Sequence, residues 1–289
     1  MFLVFSWLNL WRAYWHICQS AASVCLATVV PKRGLRYAKG MDALRDMKVM
    51  ILAAGLGKRM RPLSAHRPKP LVQVNGRALV DYALDLLREA GLSRGVINTH
   101  YLAEQMRDYM AHIDDLQLEE SSEETLLETG GGLAKALPLL GARPFFALNS
   151  DTICLSGASG PVLQRMHEAW DDAQMDMLML LMPRERAIGY DGAGDFVLSD
   201  DQKRIRRRHD NEPAPMVFTG VQLLHPRIFA DAPKGAFSMN VIYNRHQSTP
   251  DGWFERIGFV IHDGDWLHVG DPKAVEIAGE YLQQHHSGA

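Results

Sequence analysis

Met50-Ile51-Leu52-Ala53-Ala54-Gly55-Leu56-Gly57-Lys58-Arg59-Met60-Arg61-Pro62-Leu63, followed by Pro68-Lys69-Pro70-Leu71, decides how this chain is read. Val49 to Ala54 is an unbroken apolar run and predicts a buried strand. The run leads straight into glycines and cations. Glycine lets a backbone lie against a ligand with its N–H groups turned inward. Arg59 and Lys69 add two positive charges suited to a polyphosphate. Two familiar phosphate loops do not fit. A dinucleotide fingerprint needs a third glycine where Met60 stands. A Walker loop needs Ser or Thr where Arg59 stands, and its leading glycine is missing.

Beyond the loop, strand and helix patterns alternate. Strands are predicted at 48–53, 95–99, 116–119, 144–148 and 177–182, and helices at 79–90, 102–112, 130–140 and 161–171. This alternation predicts an α/β fold, a mixed, mostly parallel sheet with helices on both faces. Past Pro183 the pattern changes. Residues 196–198 and 204–208 flank the turn signal Ser199-Asp200-Asp201 and read as a hairpin. A strand at 216–224, a helix at 237–246, a strand at 256–262 and a helix at 272–284 complete the chain. In such sheets ligands bind beyond the carboxyl ends of the strands. The glycine loop, Thr99-His100-Tyr101 and Asn149-Ser150-Asp151 all fall at such ends. The acidic run Glu119-Glu120-Ser121-Ser122-Glu123-Glu124 reads as a solvated loop.

A net charge of −3 over 289 residues gives no global field to attract nucleic acid or an anionic membrane. Cys18, Cys25 and Cys154 are the three cysteines, too few for a disulfide framework in the body, and they suit a reducing, cytoplasmic setting. No Cys/His spacing suggests zinc. Residues 1–46 stand apart in composition, with Trp7, Trp11 and Trp15 among them. They are expected to be an extension outside a 47–289 domain, with a weak membrane anchor as the rival reading. The basic run Lys203-Arg204-Ile205-Arg206-Arg207-Arg208-His209 is expected to be the solvated face of the hairpin. No aromatic platform or basic excess accompanies it, so no nucleic-acid partner is expected. Cys154 reads as structural, with no paired histidine visible. Asp151 ends an apolar strand, where a carboxylate suits Mg²⁺, which shares oxygen ligands with substrate phosphates. An ordinary turn aspartate is the alternative.

The string LAAGxGxRMxPL, with PKPL at short range, closely resembles the signature of sugar-1-phosphate nucleotidyltransferases. The resemblance runs from about Met47 to the C-terminus. It implies a Rossmann-like nucleotidyltransferase fold, with a nucleoside triphosphate and a sugar 1-phosphate as partners and Mg²⁺ as cofactor. It implies catalytic roles for Arg59 and Lys69. It implies a nucleotide cradle of Leu52, Ala53, Ala54, Gly55 and Gly57, with His100, Gly130 and Gly131 on the base side. It makes Asp151 the metal ligand, and it puts Asp195, Thr219 and Gly220 where the family builds its sugar-phosphate pocket.

Trp266-Leu267-His268-Val269-Gly270-Asp271-Pro272 resembles the family's Trp-x-Asp-x-Gly-Thr-Pro segment, whose aspartate is the second metal ligand. Here His268 stands at the aspartate and Asp271 at the threonine. Both are candidate ligands, although histidine suits Mg²⁺ less than a carboxylate does. A loop histidine and a helix-capping aspartate are the plainer readings. The Glu-Lys pair that some relatives use has no evident counterpart in Pro183-Arg184-Glu185-Arg186. Within the family, the compact length and Phe218-Thr219-Gly220-Val221-Gln222-Leu223-Leu224-His225-Pro226 look most like the bacterial N-acetylmuramate 1-phosphate uridylyltransferases of cell-wall recycling. That implies UTP as donor. Mannose-1-phosphate guanylyltransferase and glucose-1-phosphate thymidylyltransferase stay open, as does, from another class, a non-catalytic nucleotide-sugar sensor. The oligomeric state is open.

Overall fold

The computed structural model describes residues 42–247 and 249–286. The extension expected over 1–46, with its anchor reading, lies outside the described residues as far as residue 41. Arg45–Ala289 cluster as one compact unit. Among the described residues no helix is long and apolar enough to cross a membrane.

The strand before the glycine loop is β1 (Val49–Leu52). A small ribbon of β2 (Gln73–Val74) and β3 (Arg77–Ala78) leads into α1 (Leu79–Glu89). The alternation continues through β4 (Arg94–Thr99), α2 (Ala103–Ala111), β5 (Gln117–Ser122), α3 (Glu128–Leu140) and β6 (Phe145–Asn149). Then come β7 (Thr152–Leu155), α4 (Val162–Ala169) and β8 (Met177–Pro183). The predicted hairpin is present as β9 (Phe196–Leu198) and β10 (Ile205–Arg207). The chain continues through β11 (Met216–Leu224), α5 (Met239–Arg245), β12 (Ile257–Ile261), β13 (Asp265–His268) and α6 (Pro272–His285).

Nine strands form the main sheet in the order β10-β9-β11-β6-β1-β4-β5, with β8 on the other side of β11 and β12 beyond it. β6, β1, β4 and β5 are mutually parallel. β11 runs antiparallel to β6, β8 and β9, and β10 antiparallel to β9, so these two oppose the other strands. The sheet is mixed and mostly parallel, as predicted. Strand β1 is covered on both faces. Val49 and Ile51 are fully buried on one side and Met50 on the other, where it packs in a cluster with Leu133 and Ala136 of α3. Successive strand residues alternate in direction, so this burial requires a layer on each side. Each such side chain contributes roughly 1.5–3 kcal/mol of transfer free energy.

Two expectations are corrected. The acidic run is not a loop: Gln117–Ser122 form β5, paired in parallel with β4. Several of its charges meet partners, while Glu124 is exposed. Glu119 accepts from Lys48 at 3.0 Å, Glu120 from Arg107 at 2.9 Å, and Glu123 is buried. The loop-histidine alternative for His268 also gives way: Asp265–His268 form β13, antiparallel to β7. That register sets Trp266 opposite Cys154 and His268 opposite Thr152. The two strands are far apart in sequence and only four residues long, so neither carries a readable period.

Candidate active site

Beyond the carboxyl ends of β1 and β6 lies a cleft of about 370 Å³. Leu52, Ala53, Ala54, Gly55, Lys69 and Asp151 are among its lining. Gly57 holds the loop's turn at φ +59°, and a Cβ there would lie 3.1 Å from Lys69 Cβ and Ser64 Cβ. Ser64 Oγ donates to Gly57 O at 2.7 Å. Tyr101, from the strand-end corner, donates to Ala65 O at 2.9 Å and so fastens the far side of the same loop.

Lys69 Nζ lies 2.9 Å from Asp151 Oδ2. Ser150 Oγ donates to Leu52 O at 2.6 Å, which ties the end of β6 to the end of β1. Arg59 is exposed on the short turn Lys58–Met60 and makes no hydrogen bond or ion pair with a described residue. His268 lies near this group. Burial holds its imidazole below the usual range; Lys69 and Arg59 push the same way, and Asp151 and Asp271 oppose. The Val269 amide donates to Asp151 O at 3.1 Å, so β13 braces the metal-candidate aspartate. Asp271 is the N-cap of α6, its Oδ1 accepting from Ala274 N at 2.9 Å. Its carboxylate is thus occupied by the helix end, the plainer of the two roles weighed for it.

A network that sequence reading missed joins the glycine loop to the start of α3. Ala53 N donates to Asn98 Oδ1 at 2.6 Å, Asn98 Nδ2 donates to Glu123 Oε1 at 2.7 Å, and Leu127 N donates to Glu123 Oε2 at 2.9 Å. Glu123 is 4% exposed, and both its oxygens are used. Asn98, a polar residue inside the apolar strand Val96-Ile97, was the available signal. His100 sits behind this network, its Nδ1 2.9 Å from Glu123 O. Gly130 and Gly131 are buried, and their amides donate to Phe237 O at 2.9 and 3.0 Å. The structure thus packs these two glycines against protein, while Glu128 and Thr129 line the cleft.

The three residues placed at the sugar pocket separate. Thr219 is fully buried; its hydroxyl donates to Leu180 O at 2.9 Å, and its carbonyl accepts from Trp266 Nε1 at 2.9 Å. It lies within the stretch where β11 shifts register against β8. Gly220 follows at φ +87°, where a Cβ would lie 2.8 Å from the Asn149 side chain. Asp195 lies in a neighbouring cleft, Oδ2 accepting from Phe218 N at 2.9 Å, and burial pushes its carboxyl above the usual range.

Two further expectations change. Trp253 lies 5.6 Å from the Arg204 guanidinium and 5.5 Å from that of Arg206, so the basic run does have an aromatic neighbour, one too distant in sequence to be seen. Cys154 does face a histidine, His262 Nε2 at 3.6 Å. Burial pushes that thiol well above its usual range, which leaves it protonated and unreactive.

Among the described residues no cluster of three His, Cys, Asp or Glu forms a closed metal cage. The donor set at Asp151 is one carboxylate on the cleft with a neutral imidazole nearby. That fits a hard divalent ion that takes one or two protein ligands and completes its shell with phosphate oxygens and water.

Residues 48–207 match the family described as "Nucleotidyl transferase". Over 230 residues, 78% of this chain and 92% of the relative, the sequence is 40% identical to a Caulobacter vibrioides protein named N-acetylmuramate alpha-1-phosphate uridylyltransferase. A Neisseria meningitidis serogroup B protein of the same name is 32% identical over 227 residues, 78% of this chain and 93% of its own. A UDP-glucose pyrophosphorylase complexed with UDP-glucose superposes with a TM-score of 0.66 at 18% identity, covering 83% of this chain and 99% of that one. At that identity the likeness speaks for the fold alone. With the family match and these relatives added to a cation-bearing glycine loop at the carboxyl edge of the sheet, the chain belongs to the nucleotidyl transferase family, among the sugar-1-phosphate nucleotidyltransferases.

Proposed function

We propose that the chain transfers a uridylyl group from UTP to N-acetylmuramate 1-phosphate, giving the UDP-sugar and pyrophosphate. The observation that carries this reading is the Lys69–Asp151 pair, 2.9 Å apart, in the cleft fed by the β1 glycine loop. The names of the two relatives support uridine as base and N-acetylmuramate as sugar.

A phosphate oxygen of the acceptor attacks the α-phosphorus in line. The bond to the bridging oxygen breaks, and pyrophosphate leaves with that electron pair. No enzyme nucleophile is needed: the Ser150 hydroxyl is committed to Leu52 O and Cys154 is buried. Catalysis is then positioning and charge neutralisation. Lys69 and Arg59 hold phosphate oxygens, and Ala53, Ala54 and Gly55 seat the nucleotide. Asp151 would hold Mg²⁺, with His268 beside it. When bound, that ion supplies positive charge to the phosphates. We assign this activity to residues 47–289 and to the cytoplasm, in recycling of the peptidoglycan sugar acid.

The test is a screen of the purified full chain. UTP, GTP, dTTP and CTP are each paired with the 1-phosphates of N-acetylmuramate, mannose and glucose, and Mg²⁺-dependent pyrophosphate release is followed. The highest kcat/KM is expected for UTP with N-acetylmuramate 1-phosphate. A preference for GTP with mannose 1-phosphate overturns the substrate assignment, and binding without any release of pyrophosphate marks a sensor.

A further inference from the structure

A second cleft of about 530 Å³ lies beside the first. Arg207 and Arg208 line it, with Asp195, Phe218, Asn240 and Tyr243. Three consecutive arginines at the end of the hairpin meet different fates. Arg206 is neutralised by Glu212 through bonds of 2.7 and 2.8 Å. Neither Arg207 nor Arg208 makes an ion pair with a described residue. Arg207 gives one N–H to Asn244 Oδ1 at 2.9 Å, and Arg208 reaches the carbonyls of His209 and Glu212 only at 3.4 Å. A guanidinium carries five N–H donors, so most of theirs are uncommitted.

Among the described residues neither guanidinium forms an ion pair with the cleft's acids: Asp195 attracts both from a distance, its Oδ2 accepts from the Phe218 amide and burial pushes its carboxyl above the usual range, and Asp210 is exposed. Two guanidiniums without an ion pair, facing one buried carboxyl, beside the aromatic side chains of Phe218 and Tyr243 suit a ligand with an acidic group on a partly apolar body.

The two clefts meet at shared elements. Ser238, the N-cap of α5, lines the nucleotide cleft, and Asn240, two residues on, lines the second. Strand β11 gives Phe218 to the second cleft and, two residues later, sets Gly220 against Asn149 of the first. On the uridylyl-transfer reading, a sugar 1-phosphate held at Lys69 and Asp151 would extend its ring toward this junction.

N-acetylmuramate differs from N-acetylglucosamine by a lactyl ether at C3 that ends in a carboxylate. We infer that Arg207 and Arg208 form the subsite for that carboxylate and so select a sugar acid over the neutral sugar as acceptor. This deepens the uridylyl-transfer reading and rests on it.

The experiment measures kcat/KM with UTP for N-acetylmuramate 1-phosphate and for N-acetylglucosamine 1-phosphate, in the full-length wild type and in Arg207→Gln, Arg208→Gln and the double variant. The readout is the ratio between acceptors. Wild type is expected to favour the acid by about tenfold or more, the scale of a hydrogen-bonded charge pair. The double variant is expected to lose that preference, with KM for the acid taking most of the change. Thermal melting confirms that each variant is folded, and Arg206→Gln, which breaks the Glu212 pair on the same strand, should keep the ratio. Equal losses on both acceptors, or an unchanged ratio in the double variant, overturn the subsite while leaving uridylyl transfer standing. No turnover of N-acetylmuramate 1-phosphate by wild type overturns both.

Discussion

Lys69 Nζ and Asp151 Oδ2 are 2.9 Å apart, with their side chains 13% and 29% exposed. The cleft's cation and its carboxylate therefore hold each other in the free protein. A partly exposed pair of this kind is worth only ~0–1 kcal/mol. Phosphate oxygens can take over Lys69, and a divalent ion can take over Asp151, at small cost. On the proposed reading, the pair is a resting arrangement that substrates exchange for their own contacts.

Asp151→Asn removes the carboxylate while keeping its size. Turnover should fall by ~10²–10³-fold, the scale for losing one electrostatic stabiliser in a sheltered site. The melting temperature should move little, because the pair adds little stability. Steady-state kinetics with saturating Mg²⁺, beside a thermal melt, check both. Near-normal turnover in a folded variant removes Asp151 from the metal site.

Glu123→Ala breaks two bonds at once, those from Asn98 Nδ2 and Leu127 N. Leaving buried donors unpaired costs ~1–3 kcal/mol each. Because the same network fixes the Ala53 amide, KM for the nucleotide should rise more than KM for the acceptor. Comparing the two KM values separates a positioning role from a general loss of folded protein, which would leave both unchanged in the active fraction.

His268→Asp places a carboxylate where relatives carry one. If His268 sits at the second ligand position, the variant should favour Mg²⁺ over Mn²⁺ or Co²⁺ more strongly than wild type does, since nitrogen donors suit the softer ions. Asp271→Asn should leave metal preference alone and lower the melting temperature by removing the α6 cap, a loss of ~0.5–2 kcal/mol. The reverse pattern of metal effects identifies Asp271 as the ligand.

Acid stability should depend on Asp176. Hydrogen bonds from Arg256, then from Arg227, lower its carboxyl from 3.8 to about 2 against the cost of burial. A depressed carboxylate stabilises the fold above its unfolded pKa and loses that contribution as pH falls through the folded one. Asp176 should therefore contribute on the order of 2 kcal/mol at neutral pH, and the contribution should fade between about pH 4 and pH 2. Urea titrations of wild type and Asp176→Asn across that range should converge. A gap that stays constant down to pH 2 excludes the linkage.

The strand, glycine loop and strand-end aspartate were legible because each is local: an apolar run, a backbone requirement and a charge at the strand's end lie within a few residues. The edges of the site were not. Glu123 looked solvated because it sits in an acidic run, yet it is buried by partners 25 and 4 residues away. Trp253 and His262 complete contacts with Arg204 and Cys154 across long separations, which no local window holds. Thr219 falls at the motif's position, but its side chain is fully buried and its hydroxyl donates to Leu180 O of the neighbouring strand, beside the register shift in β11. In sequence, Arg207 and Arg208 look like the rest of a solvated basic face, because nothing local marks Arg206 as the one of the three that pairs with Glu212.

The junction at Ser238 and Asn240 has a kinetic meaning. Two clefts that adjoin without overlapping in their lining residues can be filled at once, so on the proposed reading no covalent carrier is needed to bring a nucleotidyl moiety from one to the other. Donor and acceptor are then expected to meet in a ternary complex. The rate law of such an enzyme is sequential, and its double-reciprocal lines intersect.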